Sequence, residues 1–123
     1  MSAPIKILIV GDDEQACTYL SQMLSVKWQT DMSWIGSKAV ELARKSVYDA
    51  VVFDYRKPGL DGADVCRRIR AAQPAARVVY MTGTQNIDTV YRAVEAGADR
   101  VLAKPVDPAE LVSVLEEQLT GAA

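Results

Sequence analysis

The chain alternates between two hydrophobic patterns. Short runs of consecutive apolar residues are typical of strands buried on both faces, and apolar residues spaced three and four positions apart are typical of one face of a helix. The apolar runs lie at 5–10, 50–53, 77–81 and 101–103, with a weaker run at 31–35. The helical spacing occurs at Ala16, Leu20, Met23 and Leu24; Val40, Ala43 and Val47; Val65, Ile69 and Ala72; Ile87, Val90, Tyr91 and Val94; and Leu111, Val114, Leu115 and Leu119. The pattern therefore predicts strands and helices in strict alternation.

Residues that begin or end helices support these boundaries. Ser37 is a candidate N-cap of the second helix. Pro74 marks the end of the third helix, because proline cannot continue the hydrogen-bond ladder, and Gly97 suits a left-handed cap after the fourth. Asp107 and Pro108 predict the start of the last helix, as an N-cap followed by a proline in the first helical position.

Alternating strands and helices predict the fold class. Each return to the sheet needs a helical crossover, so the strands run parallel and the helices cover both faces. We therefore predict an α/β fold, a doubly wound (βα)5 domain with a five-stranded parallel sheet. The length of 123 residues suits one domain, which we assign to 1–120 with a frayed tail at 121–123.

Composition narrows the function mainly through one missing residue type. The chain has no histidine, which excludes a Ser-His-Asp triad and histidine-ligated zinc within it. A net charge of -2 and only short apolar runs give no reason to expect nucleic-acid or membrane binding. Cys17 and Cys66 form no CxxC pair, and we expect both to be reduced in a cytoplasmic protein. Chemistry must therefore use carboxylates, hydroxyls and lysine.

Polar residues follow the predicted strands at the points where the strands end. Asp12 and Asp13 follow the first strand, Asp54 the third, Thr82 the fourth and Lys104 the fifth. The functional crevice of an open α/β sheet lies beyond the carboxyl ends of its strands. We therefore expect carboxylates, a hydroxyl and an ammonium group to meet at one edge of the sheet.

This set of groups favours phosphoryl transfer assisted by a divalent cation. Two carboxylates about 4 Å apart repel by roughly 4 kcal/mol at an effective dielectric constant of about 20, and a hard cation relieves that repulsion. An all-oxygen, partly hydrated site suits Mg²⁺ or Mn²⁺. Lys104 can pair with a phosphoryl oxygen, Thr82 can donate a hydrogen bond to another, and a carboxylate such as Asp54 can be the nucleophile.

Essentially the whole chain resembles the receiver domain of two-component response regulators, the chemotaxis-type module. The resemblance is carried by KILIV before the acids, DYRKPGLDG at 54–62, MTG at 81–83, AGAD at 96–99 and KP at 104–105. It implies that Asp54 accepts a phosphoryl group from a sensor histidine kinase or a histidine phosphotransfer protein, and that an unknown downstream protein reads the change. A chain without histidine cannot hold the phosphohistidine itself, which agrees with a donor in trans.

The resemblance also implies a role for each site residue. The implied ligands of Mg²⁺ or Mn²⁺ are oxygens after the first and third strands: Asp12, Asp54, the backbone carbonyl of Arg56 and, as a water-mediated helper, Asp13. Thr82 and Lys104 would contact the phosphoryl oxygens. A cis peptide bond before Pro105 is expected as well.

Three residues depart from the pattern of the family. Gly11 stands where the family usually has the first acid, so weaker Mg²⁺ binding is our hypothesis. Lys57 adds a positive charge where methionine is usual. Val101 replaces an aromatic residue that moves on phosphorylation, and its short side chain predicts a different or weaker switch. A one-residue shift that pairs Asp12 with Asp13 is the alternative alignment, but it moves the apolar stripe of the first helix off the core.

Other functions stay open at this point. A degenerate receiver that acts as an unphosphorylated protein–protein adaptor fits the three departures. An aspartate-nucleophile phosphatase fits poorly, because its second acid would fall on Arg56. A flavodoxin-like cofactor domain also fits poorly, because acids after the first strand would repel a phosphate. A weak homodimer through the fourth and fifth helices is neither favoured nor excluded.

Overall fold

The computed structural model describes residues 4–56, 62–83 and 86–120, in which strands and helices alternate. The elements are β1 (Lys6–Gly11), α1 (Glu14–Leu24), β2 (Gln29–Ser33), α2 (Gly36–Lys45), β3 (Ala50–Asp54), α3 (Gly62–Ala72), β4 (Arg77–Thr82), α4 (Ile87–Glu95), β5 (Arg100–Ala103) and α5 (Pro108–Thr120). All strand pairs are parallel, in the order β2-β1-β3-β4-β5. The predicted doubly wound (βα)5 fold is confirmed.

The three central strands, β1, β3 and β4, are buried on both faces, which explains why they are almost continuously apolar. Leu8 and Val10 of β1 pack into a core with α2, α3 and α4, whereas Ile7 and Ile9 pack on the other face with α1 and α5. All four side chains are fully buried. Burial contributes about 1.5–3 kcal/mol for each side chain of this size, so the two cores are the main driving force for the fold.

The edge strand β2 begins earlier than the sequence predicts. It covers residues 29–33 rather than 31–35, because backbone pairing with β1 sets its position and its own side chains are only partly buried. Trp34 and Ile35 follow the strand and are exposed. The predicted strand therefore extended too far, because Trp34 and Ile35 are apolar but lie beyond its end.

Both predicted ends of α2 are wrong. Ser37 is the second residue of the helix, so it is not the N-cap. The helix ends at Lys45, and Val47 lies outside it with 83% of its surface exposed. The buried amide of Gln73 donates a hydrogen bond to the carbonyl of Ala43 at 2.6 Å. This bond from a distant residue satisfies a carbonyl in the last turn, where helices lack internal partners.

The predicted caps of α4 and α5 are confirmed. Gly97 follows α4 with a φ of +113°, which favours glycine. Its N–H donates to Val94 at 3.0 Å and the N–H of Ala98 donates to Ala93 at 3.0 Å, which is the double bond of a Schellman cap. The carboxylate of Asp107 accepts a hydrogen bond from a backbone N–H in the first turn of α5 at 2.8 Å.

The apolar stripe of α4 faces solvent. Ile87, Tyr91 and Val94 are 80%, 62% and 53% exposed, and Ala93 is the buried residue of this helix. An apolar helix face of this kind is typical of an interaction surface. Among the described helices, none is long and apolar enough to cross a membrane.

Candidate active site at the carboxyl ends of the strands

The parallel sheet brings the predicted site residues to one edge. Gly11 at the end of β1 pairs in register with Asp54 at the end of β3, and Asp54 pairs with Met81 of β4. Thr82 at the end of β4 pairs with Ala103, the residue before Lys104. The chain therefore assembles one site from four separate strand ends, as the sequence predicts.

Asp54 is the buried centre of this site. It is 1% exposed, and its Oδ1 forms an ion pair with the ammonium group of Lys104. Its Oδ2 faces the Nε of Arg56 at 3.3 Å. Burying an unpaired carboxylate costs several kcal/mol, so the two cations compensate this burial. Within the described residues no donor meets Oδ1 in hydrogen-bond geometry, which leaves this oxygen able to accept another contact.

Lys104 is held between two strand ends. Its Nζ donates to the backbone oxygen of Tyr55 at 3.1 Å, and its backbone N–H donates to the oxygen of Thr82 at 2.8 Å. The peptide bond between Lys104 and Pro105 is cis, as expected. These contacts fix the ammonium group beside Asp54 while 19% of the side chain stays exposed.

The two acids after β1 have different environments. Asp12 is buried, and its Oδ1 accepts a hydrogen bond from the backbone N–H of Arg56 at 2.9 Å. Asp13 is the N-cap of α1 and accepts from the N–H groups of Gln15 and Ala16 at 2.9 and 3.3 Å. Asp12 thus binds the segment that follows Asp54, whereas capping already accounts for Asp13.

The position of Gly11 is closed by packing. A Cβ atom on this residue would lie 2.7 Å from the backbone oxygen of Asp54 and 2.8 Å from the Sγ of Cys17. The thiol is fully buried, and burial, followed by the nearby charge of Asp54, raises the pKa of Cys17 to about 11. Cys17 and Cys66 are both free, as predicted. A larger residue at position 11 would therefore displace the neighbouring strand or this thiol.

Thr82 and Val101 lie in the sheet next to an aromatic pair. Thr82 is 6% exposed at the end of β4. Val101 is half-buried and pairs in register with Tyr80, whose ring stacks on Phe53 with centroids 5.6 Å apart. The ring of Tyr91 lies on the solvent face of α4. Tyr80 is thus the aromatic residue beside Val101, and the sequence pattern did not single it out.

The side chain of Arg56 was not anticipated as part of the site. The sequence singled out only its backbone carbonyl, yet its backbone N–H contacts Asp12 and its guanidinium contacts Asp54. Side chains two positions apart on an extended segment share a side, so the spacing from Asp54 was an available signal. Lys57, which the sequence also singled out, lies outside the described residues.

Arg70 is the centre of a polar network at the other end of the sheet. Its Nη2 donates to the oxygen of Gly97 at 2.7 Å and pairs with Asp99 at 2.9 Å, and its Nη1 donates to Ala76 at 2.6 Å. Asp99 also accepts the backbone N–H of Val78 at 2.8 Å. This network joins the end of α3 to the loop before β5, at the opposite edge of the sheet from Asp54.

The site opens to solvent through a cavity of about 450 Å³. Asp54, Arg56 and Lys104 supply its charged lining, and Tyr19 of α1 and Pro105 also line it. The volume lies in the range of pockets that bind small ligands. A small solute can therefore reach the buried carboxylate from outside.

The oxygens at this edge suit a hard divalent cation. Asp12 and Asp54 offer two carboxylates, and Arg56 offers a backbone carbonyl. Mg²⁺ commonly binds through one or two carboxylates and keeps several waters. No group of three or more acidic, cysteine or histidine side chains gathers within the described ranges.

Fold and site together define a flavodoxin-like α/β domain with an acid–lysine centre at the carboxyl edge of its sheet. The model of the response regulator receiver domain matches residues 7–116, so the chain belongs to this family of two-component signalling domains. Its fold matches the CheY-like receiver domain protein of Methanospirillum hungatei with a TM-score of 0.89, over 97% of this chain and 96% of that one, at 22% identity.

Two further relatives are closer in sequence. The transcriptional regulatory protein ZraR of Salmonella typhimurium is 34% identical over 94% of this chain, which covers 26% of that protein. The chain thus spans about a quarter of this curated relative. The receiver domain of the sensor histidine kinase PA1611 from Pseudomonas aeruginosa, solved with magnesium in its active-site cleft, is 31% identical with a TM-score of 0.80, over 96% of this chain and 99% of that one.

Proposed function

We propose that Asp54 is the phosphoacceptor of a two-component phosphorelay. The observation that carries this proposal is the buried carboxylate of Asp54, paired with Lys104 and opening into a solvent-accessible cavity. The donor is the phosphohistidine of a sensor histidine kinase or a histidine phosphotransfer protein. The domain catalyses its own phosphorylation and dephosphorylation and turns over no metabolite.

The reaction is a displacement at phosphorus. A carboxylate oxygen of Asp54 attacks the phosphorus atom, and a P–O bond forms as the P–N bond to the donor imidazole breaks. The leaving nitrogen keeps the electron pair of that bond and takes up a proton from solvent, which gives a neutral imidazole. Lys104 pairs with a phosphoryl oxygen, and the Thr82 hydroxyl donates a hydrogen bond to another. Such reactions depend mainly on positioning and charge neutralisation, which these residues supply.

A divalent cation belongs to this proposal. Asp12, Asp54 and the carbonyl of Arg56 would hold Mg²⁺ or Mn²⁺, and the ion would neutralise charge on the phosphoryl oxygens. The magnesium in the cleft of the PA1611 receiver domain supports this assignment. Asp13 is the weakest member of the ligand set, because its carboxylate caps α1.

Phosphorylation would be read on a surface of the same domain. The new group adds a charge of about -1.5 to -2 beside Lys104 and Thr82. Thr82 lies in β4 next to β5, and α4 follows β4, so a movement of Thr82 can reach the exposed Ile87, Tyr91 and Val94. The short Val101 replaces the usual moving ring, and we expect this coupling to differ from that of aromatic receivers. An unknown downstream protein would bind this face.

Acetyl phosphate provides a direct test. Wild type and Asp54→Asn are incubated with acetyl phosphate and MgCl₂, with and without EDTA, and analysed by intact mass. We expect one phosphoryl adduct on wild type, and none on Asp54→Asn or with EDTA. An equal adduct on Asp54→Asn, or none on wild type, would contradict the proposal.

A second candidate function is an adaptor that is never phosphorylated. The contact of Arg56 with Asp54 and the missing acid at Gly11 favour it, since both weaken the case for a metal. If the domain is such an adaptor, wild type and Asp54→Asn should bind the partner equally well. The two functions therefore separate in the same mass experiment combined with partner binding.

A further inference from the structure

Arg56 contacts both carboxylates of the site. Its backbone N–H donates to Asp12 at 2.9 Å, and its Nε lies 3.3 Å from Oδ2 of Asp54. Lys104 pairs with the other oxygen of Asp54. Both cationic side chains therefore pair with Asp54, and the guanidinium lies beside Oδ2, a carboxylate oxygen that a metal could use.

The surrounding packing preserves this balance. An additional acid at position 11 would raise the demand for a divalent cation, but a Cβ there meets the Asp54 backbone oxygen at 2.7 Å and Cys17 at 2.8 Å. The site is therefore built for two acids rather than three. With fewer carboxylates to hold a metal, one positive side chain has a larger effect on its binding.

The two cations differ in their freedom to leave Asp54. The Lys104 side chain is 19% exposed and is also bound to the oxygen of Tyr55, whereas the Arg56 side chain is 52% exposed. Within the described residues, the side chain of Arg56 has Asp54 as its ion-pair partner. Arg56 can therefore move into solvent when another cation arrives, while Lys104 stays in place.

We propose that the guanidinium of Arg56 competes with the divalent cation for Asp54 and sets the metal affinity of the site. In the metal-free protein the arginine compensates the buried carboxylate, and metal binding requires its displacement. Only the identity of Asp54 as the metal-binding acceptor is taken from the proposed function. The competition itself follows from the ion pair and the closed position 11.

Magnesium titration by calorimetry tests the competition on the full chain. The variants are Arg56→Met, which keeps the apolar stem, and Arg56→Lys, which keeps the charge. Arg77→Gln is the control, because it removes a positive charge at the opposite end of β4. Exposed ion pairs are weak, so we expect Arg56→Met to bind Mg²⁺ about three- to tenfold more tightly than wild type. We expect Arg77→Gln and Arg56→Lys to stay closer to wild type.

A spectroscopic readout checks the same point without calorimetry. In wild type the Nε–H NMR resonance of Arg56 should shift as Mg²⁺ is added. The midpoint of this shift should agree with the midpoint of the calorimetric titration. The inference is overturned if Arg56→Met binds Mg²⁺ no more tightly than wild type and Arg77→Gln do. It is also overturned if the Arg56 resonance does not shift when Mg²⁺ is added.

The two proposals fail separately. Tighter Mg²⁺ binding in Arg56→Met with no phosphoryl adduct on Asp54 would support the competition and reject the phosphoacceptor. An adduct on Asp54 together with unchanged metal affinity in Arg56→Met would support the phosphoacceptor and reject the competition.

Discussion

The Sγ of Cys17 lies 2.8 Å from the place that a Cβ atom on Gly11 would take, and the backbone oxygen of Asp54 closes the other side at 2.7 Å. Gly11 therefore lacks the charge that the family usually carries at this position, and the packing around it also requires a glycine. We expect Gly11→Asp to distort the end of β1 before it can add a metal ligand.

The first prediction concerns the stability of this packing. Gly11→Ala should lower the free energy of unfolding by about 1–3 kcal/mol, because overpacking a filled core displaces backbone or side chains. Gly83→Ala is the matched control, since a Cβ there has no described atom within 4 Å. Urea denaturation of both variants gives the comparison. Equal stability of Gly11→Ala and Gly83→Ala would contradict this prediction, because it would mean that the atoms around Gly11 can move at little cost in free energy.

The second prediction concerns the ion pair between Lys104 and Asp54. Lys104→Met should destabilise the protein by about 1–3 kcal/mol, less than for a fully buried pair, because Arg56 still contacts the carboxylate. Asp54→Asn removes the charge that needs compensation, so adding it to Lys104→Met should recover part of the loss. A double-mutant cycle measures the coupling, for which we expect about 0.5–3 kcal/mol. Additive single effects would show that the pair contributes nothing to stability.

The third prediction distinguishes two arginines of α3. Arg70→Met should cost about 2–3 kcal/mol, because it removes the donors to four backbone carbonyls and to the carboxylate of Asp99. Arg67→Met should cost less than about 0.5 kcal/mol, since Arg67 is 57% exposed and its ion-pair partner among the described residues is Asp64 at 3.7 Å. Thermal and urea unfolding of both variants test this ranking, and similar losses would refute it.

The fourth prediction is a pH dependence carried by Cys66. Burial raises the pKa of this thiol from 9.0 to about 12. The unfolded chain loses the proton at lower pH than the native protein, so this stabilisation is complete below about pH 9 and is lost as pH rises toward about 12. The stability difference between wild type and Cys66→Ala should therefore shrink above pH 9, by at most about 1.4 kcal/mol per pH unit. A difference that is constant up to pH 11 would contradict the shift in pKa.

Local sequence signals predicted the elements because each signal acts over a few residues. The apolar runs of β1, β3 and β4 are buried on both faces, so their composition alone revealed them. The caps at Gly97 and Asp107 follow from backbone chemistry within one turn. Predictions failed where a distant partner decides the boundary, as with the pairing of β2 on β1 and the amide of Gln73 at the end of α2.

The features of the candidate site also divide into those that the sequence predicted and those that it did not. The order of strands and helices was sufficient to bring Asp12, Asp54, Thr82 and Lys104 to one edge, because parallel strands end on the same side. The solvent-facing stripe of α4 was not foreseen, since periodicity shows that a helix has an apolar face but not which way that face points.

The sequence by itself determined the fold, the edge on which the site lies and the chemical groups available there, because these depend on alternation and on residue type. Only the tertiary structure decided what surrounds them: the space closed beside Gly11, the guanidinium of Arg56 against Asp54 and the network of Arg70. Such contacts depend on ångström-scale distances between segments far apart in the chain, and no local pattern encodes those distances.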